Sequence, residues 1–307
     1  MPATQIIFLI IPQIQLLDLA GPDQVFYEAI DYGADIKLEY CSFEDNVKTS
    51  SAMPFGKLKH FGKIKIKAGD YIFIPGSEVS FLNSKKMKMQ KELFAWVRDA
   101  YTKGAFVCSI CTGAFFLGMA GLLNGRKCTT HWKRTAELKA TYPLILLQEN
   151  ILFTEDERVM TSAGVTSGID MALYILSKLK DDNFSYKVAR ELVIYVRRQG
   201  NELQQSIYMS YRNHIHAGIH IVQDYMQENI NKKMLLTELA AIAFMSSRNL
   251  TRVFKKETGI SVNEYINLIR KERIRELIKN PDITRVQMAR QCGLSSQRHV
   301  ARLIQTL

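Results

Sequence analysis

The chain has few cysteines, and they form no pattern. Five cysteines stand among 307 residues, an odd number without regular spacing. This excludes a secreted domain built on disulfides, and we expect reduced thiols in the cytoplasm.

Long apolar runs are also missing. The most apolar stretch, IIFLIIPQIQLLDLAG near the start, is interrupted by Pro12, Gln13 and Gln15 and has no basic residue before it. It lacks the features of a signal peptide and is too broken to span a membrane. We interpret it as a buried strand that leads into a loop, in a cytoplasmic protein without a membrane partner.

Acidic residues are scarce relative to basic ones, and the imbalance is local. The formal net charge is +11 at pH 7, and 16 Lys and Arg face 8 Asp and Glu within residues 211–307. The first 210 residues hold 25 against 22. A surplus confined to the last third indicates a polyanionic partner, and a basic face that serves only solubility is the alternative. The apolar fraction of 47% excludes disordered and collagen-like classes.

Two kinds of pattern divide the chain. Up to about residue 182, short β-branched runs such as DYIFIPG and AFVCSI alternate with helical stretches such as KKMKMQKELFAWVRDAYTKG. This alternation predicts an α/β domain with a mostly parallel sheet, closed by an amphipathic helix over residues 185–198. The stretch from Gly200 is polar and reads as a linker. We expect a first domain over 1–200, a linker over 201–214 and an all-α domain over 215–307.

The all-α part contains an internal repeat. SSRNLTRVF at 246–254 matches SQRHVARLI at 296–304, and each copy follows a short apolar helical stretch. This arrangement predicts two helix-turn-helix units. Between them, Ser261 and Glu264 stand at capping-box spacing, which predicts one long helix that bridges the units.

The first copy separates an apolar face from a basic one. At 3.6 residues per turn, Leu250, Val253 and Phe254 fall on one side of the helix. The opposite side presents side chains suited to the major groove of DNA, where Arg bonds guanine bidentately and a Thr methyl contacts thymine. A solvated charged face is the alternative. These residues are Arg248, Thr251, Arg252 and Lys255.

The segment LTELAAIAFMSSRNLTRVFKKETGISVNEYI resembles the AraC-type DNA-binding domain, and the resemblance covers about residues 217–307. It implies double-stranded DNA as partner, with Arg248, Thr251 and Arg252 reading the groove in the first unit and Gln297 and Arg298 in the second. The second unit departs from the family. It has aliphatic residues where the family usually has aromatic ones, and the sequence ends at Leu307 before the usual closing helix, so we expect a less stable unit. The aliphatic residues are Leu294, Val300 and Ile304.

A strand-to-helix turn in the first part carries a cysteine. AFVCSI reads as a buried strand, CTGAFFLGMAGLL as a helix, and Cys111 stands between them. Such a turn exposes the side chain and sets its sulfur beside helix N–H groups, which predicts a lowered thiol pKa. His131, after a short predicted strand, and Asp18, after the first strand, are expected at the same sheet edge. The alternatives are a core cysteine, a locally bonded histidine and an aspartate that caps the next helix.

This region, over roughly residues 4–200, resembles the class I glutamine-amidotransferase-like superfamily, in the PfpI-like branch of isonitrile hydratases and GlxA-type regulators. The matching stretches are DLAGP, PGS, CTGAF, AGLLNGRKCTTHW and TSAGVTSGID. The resemblance implies a flavodoxin-like three-layer α/β/α sandwich with Cys111 as nucleophile and Asp18 as acid or base. It also implies an oxyanion site formed by the N–H groups of Thr112 and Ser77.

Two functions follow from the two resemblances together. The first is a homodimeric transcriptional regulator whose first domain senses a small-molecule effector, such as a nitrogenous metabolite. The second is a cysteine-dependent hydrolase or hydratase that carries a DNA-binding domain. The repeated basic face favours the regulator, because an enzyme has no need of two matched helix-turn-helix units.

Two further patterns suggest chemistry that we do not expect. The CSIC stretch fits a redox pair, but its first cysteine, Cys108, falls inside the predicted strand. His214, His216 and His220 lack neighbouring cysteines and have only one nearby carboxylate, so they read as a solvated helix start. We therefore expect neither a metal nor a cofactor.

Overall fold

The computed structural model of the chain describes residues 3–194, 198–201, 204, 211–212, 214–278, 280 and 282–305. The chain divides into two compact units, 1–204 and 205–307. This division falls within the predicted linker 201–214, most of which lies outside the described residues. Each unit is considered by itself.

A seven-stranded sheet forms the centre of the first unit. Its order is β3-β2-β1-β4-β5-β9-β8, and every neighbouring pair is parallel except β8 with β9. The predicted mostly parallel sheet is therefore confirmed, with one antiparallel strand at its edge. The strands are β1 Thr4–Leu9, β2 Ile36–Ser42, β3 Lys59–His60, β4 Tyr71–Ile74, β5 Phe106–Ile110, β8 Phe153–Asp156 and β9 Val159–Ser162.

The first strand shows why the sheet carries helices on both faces. Alternate side chains of the apolar run point to opposite faces, and both sets are buried: Ile7 and Leu9 in one cluster, Ile6 and Phe8 in the other. A strand that is apolar on both faces is stable only when both faces are covered. The flavodoxin-like three-layer α/β/α sandwich is confirmed.

Eight helices cover the sheet within the described residues. The predicted helix over KKMKMQKELFAWVRDAYTKG is two helices, because the backbone leaves helical geometry at Gln90. The predicted helix over 185–198 begins earlier and ends at Glu191, and residues 195–197 of that prediction lie outside the described residues. The helices are α1 Leu16–Asp31, α2 Val79–Leu82, α3 Lys85–Lys88, α4 Lys91–Thr102, α5 Gly113–Met119, α6 Thr135–Thr141, α7 Thr166–Leu179 and α8 Asp182–Glu191.

The short strand predicted before His131 does not join the main sheet. Only Lys127–Cys128 (β6) is extended, and it pairs in parallel with Leu146–Leu147 (β7) as a separate two-stranded sheet. Thr129 still reaches the main sheet, because its N–H donates to Thr161 Oγ1 of β9 at 2.7 Å. His131 therefore arrives near the sheet edge through a loop.

The second unit is helical throughout its described residues. Its helices are α9 Ala217–Glu228, α10 Leu236–Ile242, α11 Ser247–Thr258, α12 Val262–Ile278, α13 Arg285–Gln291 and α14 Gln297–Ile304. The long bridging helix is confirmed as α12, and the capping box forms: Ser261 N–H donates to Glu264 at 2.7 Å and Glu264 N–H to Ser261 Oγ at 3.2 Å. In neither unit does a described helix combine the length and apolar character that a membrane crossing requires.

Each helix-turn-helix unit has its own core, and α12 supplies both. Its first half places Tyr265 and Ile269 in the cluster with α10 and α11, whereas its second half places Ile274 and Leu277 with α13 and α14. The second cluster has no aromatic member among the described residues, since aliphatic side chains stand where an AraC-type domain usually has aromatic ones. Leu294 and Val300 are buried there, and Ile304 is partly buried.

Candidate functional sites

A cavity of about 360 Å³ opens at the carboxyl edge of the main sheet. Its walls come from the segments that follow β1, β4, β5 and β9 and from the loop after β6. Open α/β sheets bind ligands at this edge, beside the point where the strand order reverses, which here lies between β1 and β4. The cavity is lined by Gln15, Leu17, Asp18, Ser77, Glu78, Val79, Cys111, Thr112, His131, Lys133, Arg134 and Val165.

Cys111 occupies the predicted strand-to-helix turn in a strained backbone conformation. Its φ is +55°, a left-handed value that costs a non-glycine residue about 1–2 kcal/mol. The N–H donates to Ser162 O at 2.9 Å, which fixes the turn to the end of β9. Two glycines leave room for the side chain: a Cβ on Gly76 would lie 3.0 Å from Cys111 Cβ, and one on Gly164 would lie 2.8 Å from the sulfur. The thiol is 8% exposed at the cavity wall.

Asp18 lies in the first turn of α1 and does not cap that helix, which begins at Leu16 after Gln15. Its Oδ1 instead accepts the N–H of Val165 at 2.6 Å. Val165 itself has a φ of +52°, unusual for a β-branched residue. Asp18 Oδ2 lies beside the Cys111 side chain without a well-formed hydrogen bond to any described residue. The carboxyl is thus a buried acceptor that lies beside the Cys111 side chain.

Burial raises the pKa of both groups of this pair. The pKa of Asp18 is raised because the carboxyl is removed from water, an effect larger than the stabilisation from the Val165 N–H. The pKa of the Cys111 thiol is raised by burial and by the Asp18 negative charge, which outweigh the Thr112 N–H. The lowered thiol pKa expected from the helix N-terminus is therefore wrong for this site. The resting cysteine is a neutral thiol.

Thr112 and Ser77 are hydrogen-bonded to each other. Ser77 N–H donates to Thr112 Oγ1 at 2.9 Å, and the Thr112 hydroxyl donates to Ser77 O at 2.6 Å. The Ser77 hydroxyl donates to Pro12 O at 2.6 Å. An oxyanion site needs N–H groups that are free to bind the developing charge. The Ser77 N–H is already used, so the structure does not provide the two-donor site expected from the sequence.

His131 combines both interpretations that its sequence context allowed. Its Nδ1 accepts the Lys133 N–H at 3.3 Å, and its side chain also lines the cavity. Burial lowers the pKa of His131, and the positive charges of Lys133 and Arg134 lower it further, which favours a neutral ring. With Nδ1 accepting, Nε2 is the ring nitrogen that carries the proton.

Replacing Asp18 with asparagine is expected to change how stability depends on pH. Because the folded pKa of Asp18 is raised, the wild-type free energy of unfolding falls as pH rises from about 3.8, where the unfolded carboxyl ionises, to the folded pKa, and stays lower above it. The Asp18→Asn variant should lose this fall and be more stable than the wild type at pH 7. Urea unfolding between pH 4 and pH 8 measures both. Asp45→Asn, at an exposed position, is the control; a parallel profile for Asp18→Asn and wild type would contradict the prediction.

The second candidate site is the exposed face of α11. Ser246 caps the helix by accepting the Asn249 N–H at 3.3 Å, and Leu250, Val253 and Phe254 are buried beneath it. The predicted DNA-reading residues are all exposed and line one shallow surface depression together with Lys256. They are Arg248, Thr251, Arg252 and Lys255.

Hydrogen bonds within the helix orient two of these side chains. Thr251 Oγ1 donates to Ser247 O at 2.9 Å, so its hydroxyl is satisfied by the helix backbone. Arg252 Nη2 donates to Asn249 Oδ1 at 2.9 Å, which holds the guanidinium along the helix surface. The face presents several positive charges and no carboxylate among its lining residues.

The second recognition helix, α14, repeats this arrangement. Ser296 Oγ accepts the His299 N–H at 3.3 Å, as Ser246 does one repeat earlier. Val300 and Leu303 are buried, whereas Gln297 and Arg298 are exposed. The two copies therefore share their cap and their division into buried and exposed faces.

The sequence favours neither a redox pair at CSIC nor a metal site at the three histidines, and the structure describes the residues of both patterns. Cys108 lies inside β5, fully buried, as expected from the sequence, and it forms no disulfide with Cys111. His216 caps α9, while the rings of His214 and His220 stack with centroids 4.2 Å apart. No group of three or more His, Cys, Asp or Glu side chains in the described part of the chain is placed to hold a metal ion.

Sequence reasoning missed several residues of both sites. Glu78 follows the PGS stretch, and Lys133 and Arg134 follow His131 after Trp132, so a basic pair close to a site histidine was the available signal. Val165 and the two glycines that accommodate Cys111 gave no such signal, because they act through backbone geometry. Lys256 was missed because it lies at the edge of the helical face rather than at its centre.

Comparison with known families agrees with this geometry. Residues 4–178 match the DJ-1/PfpI family, a span that contains the whole cavity. The chain belongs to the DJ-1/PfpI family. Residues 239–307 match a helix-turn-helix domain family, which covers α11, α12, α13 and α14. Both families are thus present in one chain.

Relatives with curated names are of two kinds. The HTH-type transcriptional regulator GbdR of Pseudomonas aeruginosa is 27% identical over 69% of this chain and 58% of its own length. GlxA of Rhizobium meliloti, also named an HTH-type transcriptional regulator, is 24% identical over 66% of this chain and 63% of its own. The isonitrile hydratase of Pseudomonas putida is 30% identical over 58% of this chain and 72% of its own. The chain therefore spans less than two thirds of the length of these two regulators.

Solved structures support the fold. A THiJ/PfpI family protein from Pseudomonas syringae has a TM-score of 0.56 at 24% identity, covering 68% of this chain and 81% of its own. An AraC family transcriptional regulator from Pseudomonas putida has a TM-score of 0.54 at 19% identity, covering 62% of this chain and 99% of its own.

Proposed function

We propose that the protein is a sequence-specific, DNA-binding transcriptional regulator controlled by a small-molecule effector that binds in the Cys111 cavity. The observation that carries the proposal is the repeated, serine-capped helix with a buried apolar face and an exposed basic one, seen in α11 and α14. The match of residues 239–307 to a helix-turn-helix family and the names of the relatives GbdR and GlxA support the same function.

Cysteine-dependent hydrolysis or hydration is the second candidate function. Cys111 in a strained strand-to-helix turn, with Asp18 beside it, favours this function, as does the similarity to an isonitrile hydratase. Two features weigh against turnover. The Ser77 N–H is engaged by Thr112, and burial keeps the thiol protonated. A cavity with these properties suits binding better than acyl-type chemistry, so we assign it to effector recognition.

The effector we propose is a small nitrogenous molecule with an acidic group. Glu78 lines the cavity and offers carboxylate oxygens as acceptors for an N–H group, and the basic Lys133 and Arg134 line the same cavity. A cavity of about 360 Å³ is at the small end of ligand sites. Thermal unfolding with matched sets of amino acids, the corresponding carboxylic acids and the corresponding amines tests this class. Stabilisation by compounds with only one of the two groups, equal to that by the complete compounds, would contradict it.

Cytoplasmic action as a homodimer completes the proposal. Regulators that bind two half-sites on DNA commonly do so as symmetric dimers, with half-site spacing set by the DNA helical repeat. Sedimentation of the chain alone and with a selected duplex measures its stoichiometry.

The Cys111→Ala variant tests the division of labour between the two sites. Without effector it should bind a duplex selected by the wild-type chain with a Kd within about twofold of wild type, because the thiol contributes nothing to the α11 face. Its effector response should require about tenfold more effector, a loss of about 1.4 kcal/mol from the cavity wall. A fluorescence titration of the duplex, with and without the compound found by thermal unfolding, measures both quantities.

The test has a matched control, and two results would count against effector sensing by the cavity. Cys41→Ala, at a buried cysteine of β2 outside the cavity wall, is the matched control and should keep the wild-type response. Loss of effector-free DNA binding in a folded Cys111→Ala chain would contradict the assignment. Rapid turnover of amides, isonitriles or quaternary amines by the wild-type chain, abolished by Cys111→Ala, would favour the enzyme instead.

A further inference from the structure

The last described stretch of the first unit is bonded along the body of the domain. Gly200 O accepts the Phe153 N–H at 3.1 Å, and the Gln204 N–H donates to Asn150 O at 3.2 Å. These bonds hold residues 198–201 and 204 beside the segment that leads into β8. We call the described residues 198–201 and 204 the strap. It ends where the first compact unit ends.

One end of the strap is bound to the cavity wall through α7. The Arg198 guanidinium donates to Asp170 at 3.0 and 2.5 Å and to Thr166 Oγ1 at 2.7 Å. Asp170 is 5% exposed, whereas the Arg198 side chain is 34% exposed, so only the carboxylate of this ion pair is removed from water. Thr166 is the first residue of α7 and follows Val165, whose N–H is held by Asp18. A movement of Val165 would therefore reach Arg198 within one helical turn.

The other end is bound to the opposite wall through the loop after β6. Gln204 Nε2 donates to Thr130 O at 2.9 Å and to Thr129 Oγ1 at 3.3 Å. The Thr130 hydroxyl in turn donates to Cys111 O at 2.8 Å. Thr130 also precedes His131, which lines the cavity. Two hydrogen bonds thus separate the backbone of Cys111 from the residue at which the first unit ends.

From these contacts we propose that the strap reports the state of the cavity: an occupant that displaces the Cys111 turn or Val165 alters the strap's bonds and so the chain entering the DNA-binding unit. The proposal rests on the proposed function, because it describes how effector binding in the same cavity is transmitted along the chain. The coupling between the cavity and the strap can be measured without DNA. Coupling between two sites is reciprocal, so loosening the strap must in turn loosen the cavity.

The test uses the full chain and the reactivity of Cys111. Methyl methanethiosulfonate places a methylthio group on the cysteine sulfur, which loses its proton to solvent and displaces methanesulfinate. Because the Cys111 residue is only 8% exposed at the cavity wall, we expect local opening of the turn to speed modification. Gln204→Ala removes both side-chain bonds to the loop after β6 and should speed modification of Cys111, measured by mass spectrometry of peptides, about fivefold or more. Gln204→Glu, which keeps the size but replaces the donor, should do the same.

Two controls separate coupling from general loosening. Asn201→Ala changes an exposed amide of the same strap whose side chain has no hydrogen bond among the described residues, and should leave the rate within twofold of wild type. Cys108, fully buried in β5, reports global unfolding and should remain unmodified in every variant. Equal rates for Gln204→Ala and Asn201→Ala would overturn the proposal, as would equal acceleration at Cys108 and Cys111.

A second readout follows the coupling in the other direction. The Phe153 amide, which donates to Gly200, reports the strap by hydrogen exchange. Methylthiolation of Cys111 should speed its exchange about threefold or more in wild type and in Asn201→Ala, and by a smaller factor in Gln204→Ala, where the link through the loop after β6 is already broken and only the link through Arg198 remains. Unchanged exchange in wild type would contradict the proposal. Neither readout uses DNA or effector. A failure of the proposed function would therefore not affect these results, and a failure of the coupling would not contradict the proposed function.

Discussion

Replacing Arg252 with alanine should weaken binding to a selected duplex by about 1–3 kcal/mol, which is about 5- to 150-fold in Kd. Arg252 is exposed on the face of α11 opposite the buried Leu250, Val253 and Phe254, and its only hydrogen bond within the described part of the chain is to Asn249 on the same helix. The variant should therefore unfold at the same temperature as the wild type while losing affinity. A central position on this face points to a base contact, while Lys255, one turn further on, is better placed for the DNA backbone.

Arg252→Lys distinguishes the two kinds of contact. A lysine keeps the charge but loses the planar fork that bonds a guanine bidentately. If Arg252 contacts a base, the lysine variant should lose nearly as much affinity as the alanine variant and should discriminate less at one base pair. A phosphate contact would instead leave the lysine variant near wild type and reduce the salt slope of the alanine variant by about one unit. Titrations with single-base duplex variants at several salt concentrations decide; unchanged affinity in Arg252→Ala would show that α11 does not enter the groove.

The layer architecture of the first unit was predictable because it depends on short-range pattern. β1 is apolar on both faces, so its helices had to lie on both sides of the sheet, and that required no knowledge of distant contacts. The antiparallel strand β8 was missed because its four residues, FTED, include only one apolar side chain, although its partner β9 follows directly. The two-residue strand β7 was missed because its pairing with the distant β6 decides it. The same limit explains why the sequence did not reveal that the strand before His131 pairs outside the main sheet.

The cavity was predictable in its position but not in its electrostatics. The sequence predicted Cys111, Asp18 and His131 at one sheet edge, because residues that follow parallel strands meet there. It could not show that the thiol is buried and that the Asp18 carboxyl lies beside it, so the direction of the thiol pKa shift came out wrong. The use of the Ser77 N–H by Thr112 likewise depends on a contact across 35 residues.

The second unit was the more predictable one, because its evidence is local and repeated. Helical period alone assigned Leu250 to the core and Arg252 to the surface, and the repeat gave a second observation of the same division. What the pattern could not give was the arrangement of neighbouring side chains, such as the bond between Arg252 and Asn249.

Replacing Gly164 with alanine is expected to be among the most damaging single-methyl changes in the first unit. Gly164 has a φ of +95°, and an added Cβ would overlap the Cβ of Cys111 and lie 2.8 Å from its sulfur. We expect the free energy of unfolding to fall by about 3 kcal/mol, from the left-handed backbone and the overpacking together. Urea unfolding measures this loss, and under the proposed function the effector response should disappear, because the Cys111 turn must move.

Gly33 provides the matched control for this prediction. Its φ is +85°, but a Cβ there meets no atom within 4 Å, so Gly33→Ala should cost only the backbone term of about 1 kcal/mol. The difference between the two variants isolates the contact with Cys111. In a Cys111→Gly background, which removes the Cβ and sulfur, Gly164→Ala should cost less than in the wild type but more than Gly33→Ala, because the added Cβ would still lie 2.9 Å from the Cα of residue 111. An equal loss of stability from Gly164→Ala with and without the Cys111 side chain would contradict the prediction. It would show that the close contact of Gly164 with the Cys111 side chain does not cause the loss.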